Sequence, residues 1–350
     1  MGTIGEAVRR RRGGLRAGAA GRILDFALIA IIAIFLILLG TKVVAQGGSF
    51  FLQILTFAVA NGGIYALIAL GYTMVYGIIE LINFAHGDVF AFGAFLSASL
   101  LPIFGLREGG TFTAGSVFAL LAVFGLTMLA CGILNISIER IAYRPLRHAP
   151  RLAPLITAVG VSFFLEGVLF LWKGPSNVHY ANIIPNAGFE LFGATIGAKD
   201  LLVIGVSIAL VIGLALFVDR TRLGKAMRAT AQDRDAALLM GIDIDRTIAA
   251  TFFIGAILAG AGGTMYGLYY NTSVFDLGFS AGLVAFTAAV FGGIGNIYGA
   301  AIGGLVIGMI QSFWDGYFDS AWTQVVIFTI LILVLIFRPT GLLGMRVPEK

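Results

Sequence analysis

Long apolar runs alternate with short polar joints along this chain. The runs cover 50–79, 84–106, 112–138, 152–172, 200–218, 248–270, 280–312 and 321–337, and a further apolar stretch, Ile23–Leu39, precedes them. A helix needs about 20 apolar residues to cross the hydrocarbon of a bilayer, and most of these runs meet that length. They are continuous rather than alternating, so a transmembrane β-barrel is excluded. The pattern predicts an all-α polytopic membrane protein with about 8–10 transmembrane helices or half-helices.

Composition agrees. The chain of 350 residues is 59% hydrophobic and 12% charged, against about 25% charged in a soluble domain. Its 48 glycines, many at small-xxx-small spacing, suit close helix packing in lipid. The single cysteine, Cys131, lies inside an apolar run and reads as a small packing residue with no internal disulfide. The net charge of +5 is accounted for by basic joints and calls for no nucleic acid.

Charge on the joints predicts their sides. Glu139–Arg151, Asp219–Arg246 and the tail Arg338–Lys350 are basic, hence cytoplasmic. The opening segment 1–22, with its run of arginines, reads as a cytoplasmic topology anchor. The stretch Ile23–Leu39 reads as an uncleaved first span: it exceeds the about 7–15 residues of a signal-peptide core, and no clear small-x-small site follows. Both termini are then cytoplasmic, around a permease domain over 23–345 with a five-residue tail at 346–350. Lys173–Asp200 is poor in Lys and Arg and carries Pro175 and Pro185, so it belongs outside.

This assignment raises a parity problem. Asn271–Leu277 and Trp314–Ser320 both lack basic residues and should both be outside. The run 280–312 must then cross twice or dip in and return, with its break at Gly292–Ala300 (GGIGNIYGA). Interrupted helices are tolerated at membrane depth only where protein buries them or they line a cavity. Gly292–Gly304 is therefore a candidate wall of a transport path, with Gly293 and Asn296 within it. A second break, Ile82–Asp88 (INFAHGD), brings Asn83, His86 and Asp88 together.

Ionisable residues at membrane depth are costly and often functional. His86, Asp88 and Glu166 are such residues; they could serve a substrate or gate, or tie neighbouring helices through capping and hydrogen bonds. Asn61 precedes Gly62 and Gly63, where a backbone can approach a ligand, and a polar helix contact explains it equally. Tyr65, Tyr72 and Tyr76 form a stripe at helical spacing that reads as packing, with Tyr65 also a candidate for the path. His148 and His179 fall in joints, which leaves too few ligands for a metal centre. No G-x-x-x-x-G-K-[ST] motif occurs, so any ATP is bound elsewhere.

The segment Lys225–Met240 has high helix propensity and no proline. Met227, Leu238, Leu239 and Met240, with Ala236 and Ala237, could give it a sticky face; an ordinary solvated helix with Arg–Asp pairs would have the same composition. DAALLMGI, Asp235–Ile242, resembles the coupling-loop motif of ABC importer permeases. Asn61–Phe95, Ile138–Arg147 (IERIAYRPLR), Arg228–Gly260, Ala285–Gly308 and Arg338–Gly344 (RPTGLLG) occur in the order found in the branched-chain amino-acid permeases of the H type. The chain resembles that family over roughly residues 50–345.

The resemblance implies a permease subunit of an ATP-driven importer in the bacterial inner membrane, working by alternating access with no covalent chemistry of its own. It implies a second permease subunit of M type, two ABC ATPase subunits that bind ATP and Mg, and a periplasmic binding protein. Arg228, Asp235, Ala236, Ala237, Gly241 and Ile242 would belong to the ATPase-coupling helix. Asn61, Tyr65, Asn83, His86, Glu166, Gly293 and Asn296 are the candidates for the path. Substrates in related systems include branched-chain and other amino acids, urea and short amides. A stand-alone secondary transporter and an intramembrane enzyme are the rival classes, and neither accounts for the coupling segment.

Overall fold

The computed structural model describes residues 35, 37–81, 83–110, 112–147, 149–150, 152–185, 187–338 and 340–344. The opening segment 1–22, most of the stretch Ile23–Leu39, Ile82, His148, Arg151 and the tail 346–350 lie outside the described residues.

Two compact units divide the chain, 1–52 and 53–350. In the first, a short apolar helix α1 (Ile37–Gln46) ends at Gly47, which holds a positive φ of 90°. The helix α2 (Gly48–Ile79) begins directly after it.

The second unit continues with α3 (Ala85–Ile103), α4 (Ala114–Ile138), α5 (Leu152–Lys173), α6 (Ala198–Arg220), α7 (Arg222–Gln232), α8 (Arg234–Leu239), α9 (Ile244–Tyr270), α10 (Leu277–Gly292), α11 (Ile297–Tyr317) and α12 (Thr323–Phe337). Four short strands complete it: β1 (Val178–His179), β2 (Gly188–Leu191), β3 (Ala194–Gly197) and β4 (Thr272–Ser273). β1 pairs antiparallel with β4, and β2 with β3. Among the described residues eight helices are long and apolar enough to cross a membrane. The chain is an all-α, multi-pass membrane protein.

α2 and α9 are buried along most of their length, whereas α5, α6 and α12 expose most of theirs. Small residues let the central helices touch at the backbone. A Cβ added at Gly304 would lie 2.3 Å from Ala66 Cα, and one at Gly308 2.3 Å from Gly62 Cα. The four-residue spacing of Gly62 and Ala66 on α2 thus faces the same spacing on α11. Cys131 is fully buried against Gly93 and Gly260, as its apolar surroundings predict.

The run 280–312 resolves into an antiparallel hairpin. Gly292 meets Gly299 and Ala288 meets Gly303 across it, and Gly293–Asn296 form the turn. α10 has 16 residues, but α11 reaches 21 because it continues past 312 to Tyr317. The two halves are therefore unequal. α4 also runs on, through a π turn at Glu139–Tyr143 and a 3-10 turn at Arg144–Leu146.

Polar contacts sort the joints into two ends. Arg144 and Arg147 bond Asp245, Arg234 donates to Ile78 O at 2.6 Å, Tyr298 to Asp219 at 2.7 Å and Asn296 to Leu343 O at 2.7 Å. These collect the joints near 80, 139–147, 219–247 and 293–296, with residues 340–344, at one end, which carries most of the basic residues. At the other, His179 meets Glu108 at 2.8 Å and Lys199 donates to Asn271 at 2.6 Å.

Candidate functional site

The segment 219–246, expected from the resemblance to couple to an ATPase, occupies the basic end. It forms two helices, although its propensity predicts one. The chain breaks at Asp233 because its side chain accepts the Ala236 N–H at 3.0 Å, capping a new helix rather than continuing the old. α7 is capped by Thr221, which accepts from Gly224 N at 3.0 Å, and turns Gly224, Met227 and Thr230 inward. Arg228 ties it back to Val218 O and Asp219, both at 2.8 Å.

α8 ends in a Schellman turn. Ile242 N donates to Ala237 O and Gly241 N to Leu238 O, both at 3.0 Å, while Gly241 holds a φ of 81°. This geometry presents an apolar tip. Leu238 is 61% exposed, Leu239 87% and Met240 82%. Asp235, Ala236 and Gly241 are exposed beside them, and Ile242 is half-buried. Ala237 and Met227 turn into the protein instead, so the sticky face is narrower than its sequence implies. Arg234 fastens the same helix to the last turn of α2 through Ile78 O.

The candidates for the path fall in several places. Asn83 is buried and accepts the Tyr143 hydroxyl at 2.7 Å. His86 and Asp88 lie in the first turn of α3 with no exposed surface. Neither caps that turn: His86 packs edge-on against Tyr72, with ring centroids 4.9 Å apart, and Asp88 accepts the Ser162 hydroxyl of α5. Glu166, four residues beyond Ser162, is half-buried and within electrostatic reach of Asp88 and Asp276. Gly293 packs against Leu343 and Gly344. The Asn296 side chain caps α11, accepting from Tyr298 N at 3.0 Å and Gly299 N at 3.2 Å. These two residues belong to the hairpin turn at the basic end.

Asn61 differs. It lines a cavity of about 600 Å³ at the opposite end. α2 contributes Ile54, Phe57 and Asn61 to its wall, and Tyr270 donates to Asn61 at 3.1 Å. α6 contributes Lys199 and Asp200, α9 Tyr269 and Tyr270, and α11 Ser312 and Asp315. The β2–β3 hairpin adds Gly188, Thr195 and Gly197. Tyr65 lies one helical turn beyond Asn61 and is buried. Apart from Asn61, sequence reasoning missed this cavity. Lys199 and Asp315 had the look of ordinary charges at the ends of apolar runs, and the doublet Tyr269–Tyr270 was the available signal. Among the described residues no group of three or more His, Cys, Asp or Glu could hold a metal ion.

Comparison with known proteins places this architecture. Residues 53–335 match the family described as branched-chain amino acid transport system / permease component. The high-affinity branched-chain amino acid transport system permease protein BraD of Pseudomonas aeruginosa is 43% identical over 307 residues, which cover 86% of this chain and 98% of that protein. LivH of Escherichia coli K12, which carries the same description, is 40% identical over 308 residues, 86% of this chain and 98% of LivH. LivM of the same organism is 24% identical over 306 residues, 82% of this chain and 69% of LivM. No solved structure matches. With eight candidate spans, a capped polar segment at the basic end and this similarity along most of its length, the chain belongs to the branched-chain amino acid transport system permease family.

Proposed function

We propose that this permease is one of two permease subunits of an ATP-driven importer of branched-chain amino acids in the bacterial inner membrane. Its partners are a second permease of the LivM kind, two ABC ATPase subunits that bind ATP and Mg, and a periplasmic binding protein. The basic end and both termini face the cytoplasm, in keeping with the excess of Lys and Arg on that side.

One observation carries the reading. Leu238, Leu239 and Met240 are three consecutive large apolar side chains in solvent at the basic end, on a short helix fixed by a cap at each end. An exposed apolar cluster with a polar rim marks a protein contact. A rigid mount lets a push on it be transmitted rather than absorbed. Arg234 and the Asp245–Arg144–Arg147–Glu139 network join this segment to α2, α9 and the end of α4. ATP-driven closure of the ATPases would move the tip, and these bonds would carry the movement into the bundle as a switch between two states. Asp235, Ala236 and Gly241 rim the contact. Arg228, Ala237 and Ile242 hold its shape.

The test is reconstitution of the full transporter with Leu239→Glu. A charge at the tip should lower recovery of the ATPase subunits with the permease pair, or abolish leucine uptake while ATP hydrolysis continues, with the permease pair itself recovered in normal amount. Normal recovery together with normal uptake would remove the docking assignment.

A further inference from the structure

The cavity at the end opposite the coupling segment has a composition that its apolar neighbourhood does not call for. Three charged side chains, Lys199, Asp200 and Asp315, face it from two helices. One of the three is buried, at 6% exposure, and is turned to the fold. Asp200 accepts the Tyr269 hydroxyl on one oxygen and Gly197 N on the other, each at 2.9 Å, so it fixes the start of α6 against α9. The other two keep capacity. Lys199 gives one N–H to Asn271 Oδ1 at 2.6 Å, of the three an ammonium carries. Asp315 accepts from Thr323 and is exposed, and a carboxylate offers roughly four acceptor sites.

We infer that this cavity is a transit site for a zwitterion with an apolar side chain, its carboxylate against Lys199, its ammonium against Asp315 and its side chain against Ile54 and Phe57. The inference rests on the proposed import of branched-chain amino acids and adds where this chain meets the substrate. Taking a zwitterion out of water is costly unless each end finds an opposite charge. A cation on α6 and an anion on α11 supply both partners in one space. The apolar remainder of the solute meets Ile54, Phe57 and the rings of Tyr269 and Tyr270 on α2 and α9. The volume of about 600 Å³ lies within the roughly 300–1,000 Å³ of small-molecule pockets, so one amino acid and some water fit. A neutral amide would need neither charge.

The experiment uses the complete transporter with its binding protein in proteoliposomes, and the same complex without binding protein in nanodiscs. Uptake of radiolabelled L-leucine and ATPase stimulation are read in the first, saturation-transfer NMR with L-leucine or isovaleramide in the second. Asp315→Asn and Lys199→Met should each cut uptake about tenfold or more and remove the leucine signal, the size expected when one partner of a desolvated charge pair is lost. The ATPase response should stay within about twofold of the unaltered complex, and Asp315→Glu should keep most of the uptake. Isovaleramide, which lacks both charges, should give no signal. Leucine uptake and signal unchanged in both charge-removing variants overturn the site. So does an isovaleramide signal equal to that of leucine, a loss in Asp315→Glu as deep as in Asp315→Asn, or a collapse of the ATPase response, which marks a structural role. If the unaltered complex imports no leucine, the proposed function itself fails, before any variant is read.

Discussion

At the scale of single residues, a carboxylate with no exposed surface is held by one hydroxyl. Asp88 accepts from Ser162, and its other oxygen has no partner. Ser162→Ala leaves the whole group unsatisfied, which costs about 1–3 kcal/mol. A lowered unfolding temperature in detergent is expected, and an unchanged one would show that the bond contributes nothing. Gly241 makes a different demand. A Cβ there meets nothing within 4 Å, so the obstacle to substitution is conformational rather than steric. With φ at 81°, Gly241→Val should cost about 1–2 kcal/mol, spent in tilting the apolar tip. Leucine uptake should fall relative to ATP hydrolysis while the amount of folded protein holds. Asp88 and His86 could be picked out of the sequence because ionisable residues are rare in apolar runs. Their partners could not, since Ser162 is 74 residues from Asp88 and no local pattern links them. Lys199 was hidden for the opposite reason: a lysine at the end of an apolar run has an ordinary explanation.

Among the elements, α2 reaches both ends of the molecule. Its last turn is gripped by Arg234 of α8, and its earlier turns form one wall of the cavity lined by Lys199 and Asp315. Arg234→Ala should therefore weaken coupling more than assembly. The ratio of ATP hydrolysed to leucine imported should rise several-fold, whereas removal of a merely solvated arginine would leave it unchanged. The contact of α2 with α11 is the more brittle one. Gly304→Leu drives a side chain into the backbone at Ala66, and overpacking of this kind costs about 1–3 kcal/mol or more. Loss of folded permease on size exclusion is the expected outcome. The glycine spacing announced close packing but not which helices would pair. It also gave no warning of the break at Asp233, where a side-chain cap competes with continuation of the helix.

For the whole molecule, the charges on the joints assign the coupling tip and the β2–β3 hairpin to opposite sides of the membrane. Cys131 is the single cysteine and is buried, which gives a clean background for labelling. Met240→Cys should react with an impermeant maleimide only in inside-out vesicles, and Phe192→Cys, at an 83% exposed hairpin tip, only in right-side-out ones. Equal reaction of either variant in both preparations would remove the orientation. Fold class and most spans were legible because lipid leaves a chain few choices. The division of 280–312 was legible only as a conflict of parity, which the unequal lengths of α10 and α11 resolve. The end of that hairpin is closed by the tail. Leu342 N donates to Phe291 O at 2.8 Å and Leu343 N to Gly292 O at 2.9 Å, supplying carbonyls that α10 cannot satisfy for itself. During synthesis, α10 and α11 therefore leave the ribosome well before the residues that fasten them. Their hairpin is completed by residues made only after α12, so a stop codon just after Phe337 would release α10 and α11 whole yet leave the hairpin unlatched.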